Sequence, residues 1–156
     1  FMSPIKGLIG TTAYGVSEFY RYPYSTFGAK SEFNVKGVKE LPRVDIIYGD
    51  VDMSADLIDA SVERGAKGIV IAGVGNGNMP KAALEACGKA TKNGIMVVRS
   101  SRVATGNVGR NVEVNDDELG TIASYDLNPQ KARILLSLAL LKKRDAANIQ
   151  KLYLDY

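Results

Sequence analysis

From Pro42 onward the chain alternates two hydrophobic patterns. Val44-Asp45-Ile46-Ile47-Tyr48 is a short β-rich run, and residues 54–64 then place Ala55, Ile58 and Val62 at helical spacing before Gly65, a C-terminal stop. Gly68-Ile69-Val70-Ile71-Ala72 repeats the strand. Residues 79–92 repeat the helix, with Pro80 in its first turn, Met79, Ala83, Ala86 and Ala90 facing inward, and Asn93-Gly94 at its end. Residues 95–98 form a third strand. Continuous apolar strands alternating with helices of about 11–14 residues predict βαβ units and a parallel sheet with right-handed crossovers. The expected class is α/β: a Rossmann-like or flavodoxin-like small domain, its parallel sheet flanked by helices.

Residues 99–118 are polar, rich in Ser, Arg, Gly and Asn, and follow no period, which predicts a long functional loop. Asn128-Pro129 then opens a helix to about Lys143 whose Ala132, Ile134, Leu135, Leu136, Leu138, Ala139, Leu140 and Leu141 leave almost no polar face. Such a helix is expected to be buried nearly all round, at a subunit interface. Lys142, Lys143 and Arg144 complement its C-terminal dipole. Asp145 N-caps a last helix over residues 146–152, with Ile149, Leu152 and Tyr153 on one stripe. Ahead of Pro42 no helical period exists. Eight of the twelve Phe and Tyr residues lie in residues 1–43, and alternating aromatics around Tyr14-Gly15 predict a β-hairpin, with residues 25–42 a polar connector ending at Leu41-Pro42.

Charge sharpens this division. Residues 1–43 carry six Lys and Arg against three Glu, the whole excess of +3, while residues 44–156 balance at fourteen of each sign. Aromatics interleaved with bases can stack on single-stranded nucleic acid, but +3 over this arm is a weak footprint, so the hairpin is favoured and no nucleic-acid partner is expected. The 156 residues, 46% hydrophobic, suffice for one sizeable core and an arm. The longest apolar stretch, residues 134–141, is interrupted by Ser137 and is far below the roughly 20 residues of a membrane span. No membrane association is expected. With no histidine and one cysteine, Cys87, neither an intrachain disulfide nor a Cys/His zinc site can form, and histidine acid/base catalysis is excluded. Met2 is followed by no leader pattern, and the chain reads as a fragment.

Three segments carry candidate chemistry. Gly73-Val74-Gly75-Asn76-Gly77-Asn78 sits at the carboxyl end of the second strand, just before a helix, where open α/β sheets bind ligands. Its third glycine falls one residue early for a dinucleotide fingerprint, no acidic residue follows a next strand at about 20 residues, and no Gly-Lys-Ser/Thr exists. A strained loop presenting Asn76 and Asn78 remains, either turn or ligand loop. The second segment, Arg99-Ser100-Ser101-Arg102-Val103-Ala104-Thr105-Gly106, suggests anion binding. Ser101 has no base near it, so the favoured reading is a loop whose hydroxyls satisfy turn backbone. The third is Glu113, between Val112 and Val114, ahead of Asp116-Asp117-Glu118, which reads as a solvated helix start.

Taken together, Ala72-Gly73-Val74-Gly75-Asn76-Gly77-Asn78, Val97-Val98-Arg99-Ser100-Ser101-Arg102-Val103, Glu113-Val114, Ala123-Ser124 and Leu127-Asn128-Pro129-Gln130-Lys131-Ala132-Arg133 strongly resemble the C-terminal half of bacterial-type L-asparaginases, of the type II or glutaminase-asparaginase branch. The resemblance runs from Phe1 to Tyr156. It implies that residues 1–20 are the last hairpin of a larger N-terminal domain, 21–42 an interdomain linker, and 43–156 the smaller domain.

Family members hydrolyse the side-chain amide of asparagine with a threonine nucleophile in a Thr-Gly-Gly-Thr loop of the N-terminal domain. That loop is absent here. Gly10-Thr11-Thr12-Ala13 and Gly120-Thr121-Ile122-Ala123 mimic parts of it at the wrong place in the family register, so this chain is expected to hold no catalytic residue and to be inactive alone. What the resemblance implies for it is recognition: the positions of Asn78 and Glu113 meet the substrate's α-ammonium end, and each C-terminal domain completes the active site of a neighbour in a homotetramer. The implied partners are L-asparagine, with L-glutamine as alternative, the N-terminal domain and the neighbouring subunit. No cofactor and no metal are implied. Periplasmic or secreted placement follows from the type II resemblance, with the cytoplasm as alternative. The rival reading is a non-catalytic fragment or binding module.

Overall fold

The computed structural model describes residues 6–156. Residues 1–5, with the start of the expected hairpin unit and the leader reading at Met2, lie outside the described residues. Strands β1 (Gly10–Ala13) and β2 (Val16–Phe19) pair antiparallel, Gly10 opposite Phe19. Their turn residues Tyr14 and Gly15 both have positive φ, 51° and 80°, the twist that suits a two-residue hairpin.

The remaining strands, β3 (Val44–Tyr48), β4 (Gly68–Gly73), β5 (Met96–Ser101) and β6 (Ile122–Ala123), form one parallel sheet whose order follows the chain. Helices α1 (Asp56–Glu63) and α2 (Lys81–Lys92) connect β3 to β4 and β4 to β5. A short α3 (Asp116–Leu119) precedes β6, and α4 (Pro129–Ala139) and α5 (Ala146–Asp155) end the chain. Strand alternation sends Ile47, Ile69, Ile71 and Val97 toward Ile58 of α1 and Ala83, Ala86, Cys87 and Ala90 of α2. Val44, Val70, Val98 and Ile122 face the opposite layer, Leu135 and Leu136 of α4 and Ile149, Leu152 and Tyr153 of α5. With helices on both faces, β4 is buried at all six positions, and so reads as an unbroken apolar run.

Local signals hold at the helix ends. The Asn128 side chain accepts from the Lys131 amide at 3.0 Å and that of Asp145 from the Asn148 amide at 2.7 Å. Four expectations are corrected. Helix α2 begins at Lys81, because Pro80 is extended (φ −57°, ψ 153°) and Met79 lies before the helix. Strand β5 continues to Ser101, since β4 offers backbone partners as far as Gly73, and this carries Arg99 and Ser100 into the interior. Helix α4 stops at Ala139, short of Lys143, and this chain by itself covers only part of it, leaving Ile134 49% exposed. Lys142 and Arg144 pair with Glu32 instead of only facing the helix end. The connector docks at this point, where the Tyr156 hydroxyl accepts from the Glu32 amide at 2.9 Å and its ring lies 5.0 Å from that of Phe33. No periodicity announced β6, which is two residues long.

Candidate functional site

Two loops leave neighbouring strands at the carboxyl edge of the sheet. The first folds back at once: Val74 and Asn78 exchange backbone hydrogen bonds of 3.0 and 2.8 Å around Gly75-Asn76-Gly77. Gly77 has φ 75°, and a Cβ there would lie 3.1 Å from Val108 and 3.3 Å from Arg99, so the position requires glycine. The second loop, from Arg102 to Asn115, is held at its start by the Arg102 amide donating to the Gly73 carbonyl at 2.8 Å, and in its middle by the bridge between Val108 and Tyr125.

Asn78 and Glu113, expected together from sequence, do meet: Nδ2 of Asn78 donates to a carboxylate oxygen of Glu113. Asn78 is half-buried and Glu113 exposed. Asn76 goes elsewhere. Its Oδ1 accepts from the Gly109 amide at 2.6 Å, and so it ties the two loops together.

The polar segment opens inside β5, and its first arginine is not free for an anion. Arg99 is fully buried and donates Nε and Nη2 to the two oxygens of Asp116, both at 2.7 Å. Its Nη1 donates to the Asn76 carbonyl at 2.9 Å and its Nη2 also to the Gly109 carbonyl at 3.1 Å. The Arg102 guanidinium lies 5.1 Å above the Tyr48 ring. Ser101 behaves as a turn residue, accepting from the Val103 amide at 3.1 Å. The acidic run is a helix start as expected, but not wholly solvated: Asp116 is fully buried while Asp117 and Glu118 are exposed. Burial opposes ionisation of Asp116. The hydrogen bonds from Arg99, Thr121 and the Asn111 amide outweigh it and hold the carboxyl below the usual carboxylate range.

The two threonine segments that mimic a nucleophile loop are also accounted for. Thr11 lies on the exposed β1 and shares a hydrogen bond of 2.7 Å with the Tyr20 hydroxyl. Thr121 is buried and donates to Asp116 at 2.6 Å. Burial pushes the Cys87 thiol up to about 12, which leaves it protonated at neutral pH. Among the described residues no group of three His, Cys, Asp or Glu is placed to hold a metal ion, and no helix is long and apolar enough to cross a membrane. Grooves open along β3 with α1, and between Phe27, Phe33 and α4, and neither is lined by Asn78 or Glu113. Their pair stands on an open rim.

The model of the glutaminase/asparaginase C-terminal domain matches residues 43–153. The chain belongs to that family. Over its whole length it is 42% identical to a probable periplasmic L-asparaginase of Haemophilus influenzae and 41% identical to L-asparaginase 2 of Escherichia coli, spanning 45% of each. Over 96% of its length it is 42% identical to a glutaminase-asparaginase of Acinetobacter glutaminasificans, spanning 46% of that protein. It thus spans about half the length of the curated relatives it matches. Within this asparaginase C-terminal domain, sequence reasoning missed Asp116 as the partner of Arg99. The available signal was Arg99 itself, which continues an apolar strand run and demands a carboxylate if buried.

Proposed function

We propose that the protein carrying this chain hydrolyses the side-chain amide of L-asparagine to L-aspartate and ammonia, with this chain gripping the substrate's α-ammonium end. The observation that carries the reading is the meeting of Asn78 and Glu113 on an open rim, in a chain 41% and 42% identical to two L-asparaginases. Their mutual bond uses Asn78 Nδ2 and one Glu113 oxygen. Asn78 Oδ1 and the second Glu113 oxygen have no protein hydrogen bond among the described residues, and an ammonium with three donors supplies both with charge-assisted bonds. Fixing that end sets the distance from the α-carbon to the attacked amide, so that binding becomes orientation.

The nucleophile is then a threonine of a Thr-Gly-Gly-Thr loop in an N-terminal domain, and the 156 residues alone release no ammonia. Residues 1–20 are the last hairpin of that domain, 21–42 the linker and 43–156 a Rossmann-like C-terminal domain. The open rim is walled by a neighbouring subunit of a homotetramer. The name of the Haemophilus relative supports a periplasmic placement. A second reading, glutaminase-asparaginase, is favoured by the Acinetobacter relative. The two substrates differ by one methylene, worth about 1–3 kcal/mol in a pocket, and the ratio of kcat/KM for asparagine and glutamine decides between them.

The test uses the full-length protein and ammonia release. Glu113→Gln keeps shape and removes charge, so kcat/KM for asparagine falls by roughly 1.5–3 kcal/mol, about 10- to 150-fold. The loss shrinks for succinic acid monoamide, which is asparagine without its α-amino group. Glu118→Gln, at an exposed position, leaves both unchanged. Equal losses on both substrates at Glu113, or a larger loss at Glu118, refute the assignment.

A further inference from the structure

We infer that the buried Arg99–Asp116 pair is the positioning device of the ammonium site: it fixes the two loops that present Asn78 and Glu113 relative to each other. This rests on the recognition role proposed for those two residues. The pair reaches both loops at matching points. Arg99 holds the Asn76 carbonyl, two residues before Asn78, and Asp116 accepts from the Asn111 amide at 2.8 Å, two residues before Glu113. Arg99 also holds the Gly109 carbonyl, and Asn76 Oδ1 closes the frame on the Gly109 amide.

Stability alone does not account for the arrangement, because a buried ion pair is often matched or exceeded by apolar residues of similar volume. Apolar residues cannot bond to two loop carbonyls and a loop amide at once. The guanidinium fork can: four hydrogen bonds leave it in fixed directions, two to the carboxylate and one to each loop. Lysine carries the charge without the fork, so Arg99 and Asp116 are positioning residues whose effect passes through Asn78 and Glu113.

Arg99→Lys and Asn76→Ala, each alone and combined with Glu113→Gln, test this in the full-length protein with asparagine and succinic acid monoamide as substrates. Arg99→Lys is expected to lower kcat/KM for asparagine by at least about tenfold, chiefly through KM, and for the monoamide by less than about threefold. In the Glu113→Gln background it adds less than about threefold, because the contact it positions is already lost. Asn76→Ala removes the loop-to-loop bond without disturbing a buried charge, and shows the same substrate dependence at about three- to tenfold. It decides the matter if the lysine variant does not fold. Equal falls on both substrates, full additivity with Glu113→Gln, or no fall overturns the inference. An amine-dependent loss at Glu113 with none at Arg99 or Asn76 overturns the inference alone. No amine-dependent loss at Glu113 overturns the recognition reading and the inference with it.

Discussion

The loops after β4 and β5 leave adjacent strands side by side, yet they reach their shapes by opposite means. The first closes within five residues through its own backbone bridge and its positive-φ glycines. The second spans fourteen residues, from Arg102 to Asn115, and its carboxyl part takes its form from Arg99 and Asp116, which flank it. A short loop stores its conformation in residue types. A long one must borrow it from a buried contact, since backbone polar groups away from water need partners.

Breaking that borrowed contact gives the largest effect on stability. Asp116→Ala leaves a buried guanidinium unpaired and is expected to cost about 3–5 kcal/mol in chemical denaturation. Acid does the same reversibly. Because the folded carboxyl of Asp116 titrates below its unfolded value near 3.9, the stabilisation is complete above about pH 4 and is lost as pH falls through the folded value. Asp116→Asn flattens the acid limb of stability against pH; an unchanged limb shows that the pair contributes nothing there.

The short loop breaks less. Gly77→Ala places a β-carbon at a left-handed position beside Arg99 and Val108, at a cost of about 1–3 kcal/mol. Gly75, whose added β-carbon meets nothing within 4 Å, suffers only the backbone strain, so Gly75→Ala costs less than Gly77→Ala. The reverse order means that contact with the second loop is not what demands glycine at 77. The smallest effect belongs to Asp117, beside Asp116 in sequence but paired at the surface with Arg110 and Asn111. Asp117→Asn is expected to leave the denaturation midpoint within experimental scatter, and a shift like that of Asp116→Ala abolishes the contrast.

Much of this was legible in the chain. Val44–Tyr48 is legible to the residue, as are the Tyr14-Gly15 turn and the caps at Asn128 and Asp145, whereas Asn78 and Glu113 stand out only through a family resemblance. The misses share a cause. Composition offered Asn76 and Asn78 equally, and gave Arg99 to the loop and Asp116 to the solvent. Each outcome depends on residues distant in sequence: Gly109 for Asn76, Glu113 for Asn78, and Asp116, seventeen positions further on, for Arg99. Helix α4 carries apolar residues on every face, and within this chain only the placement of the sheet decides which face is covered.

The sequence by itself determined the type and order of the longer strands and helices, with their turns and caps, because these depend on backbone sterics and on partners two to four residues away. Tertiary structure decided whether each polar side chain at the carboxyl edge of the sheet became a strut or an open acceptor. A charge enters the interior only where the fold brings a countercharge and hydrogen-bond partners to it, and that depends on distances in space that no local pattern encodes.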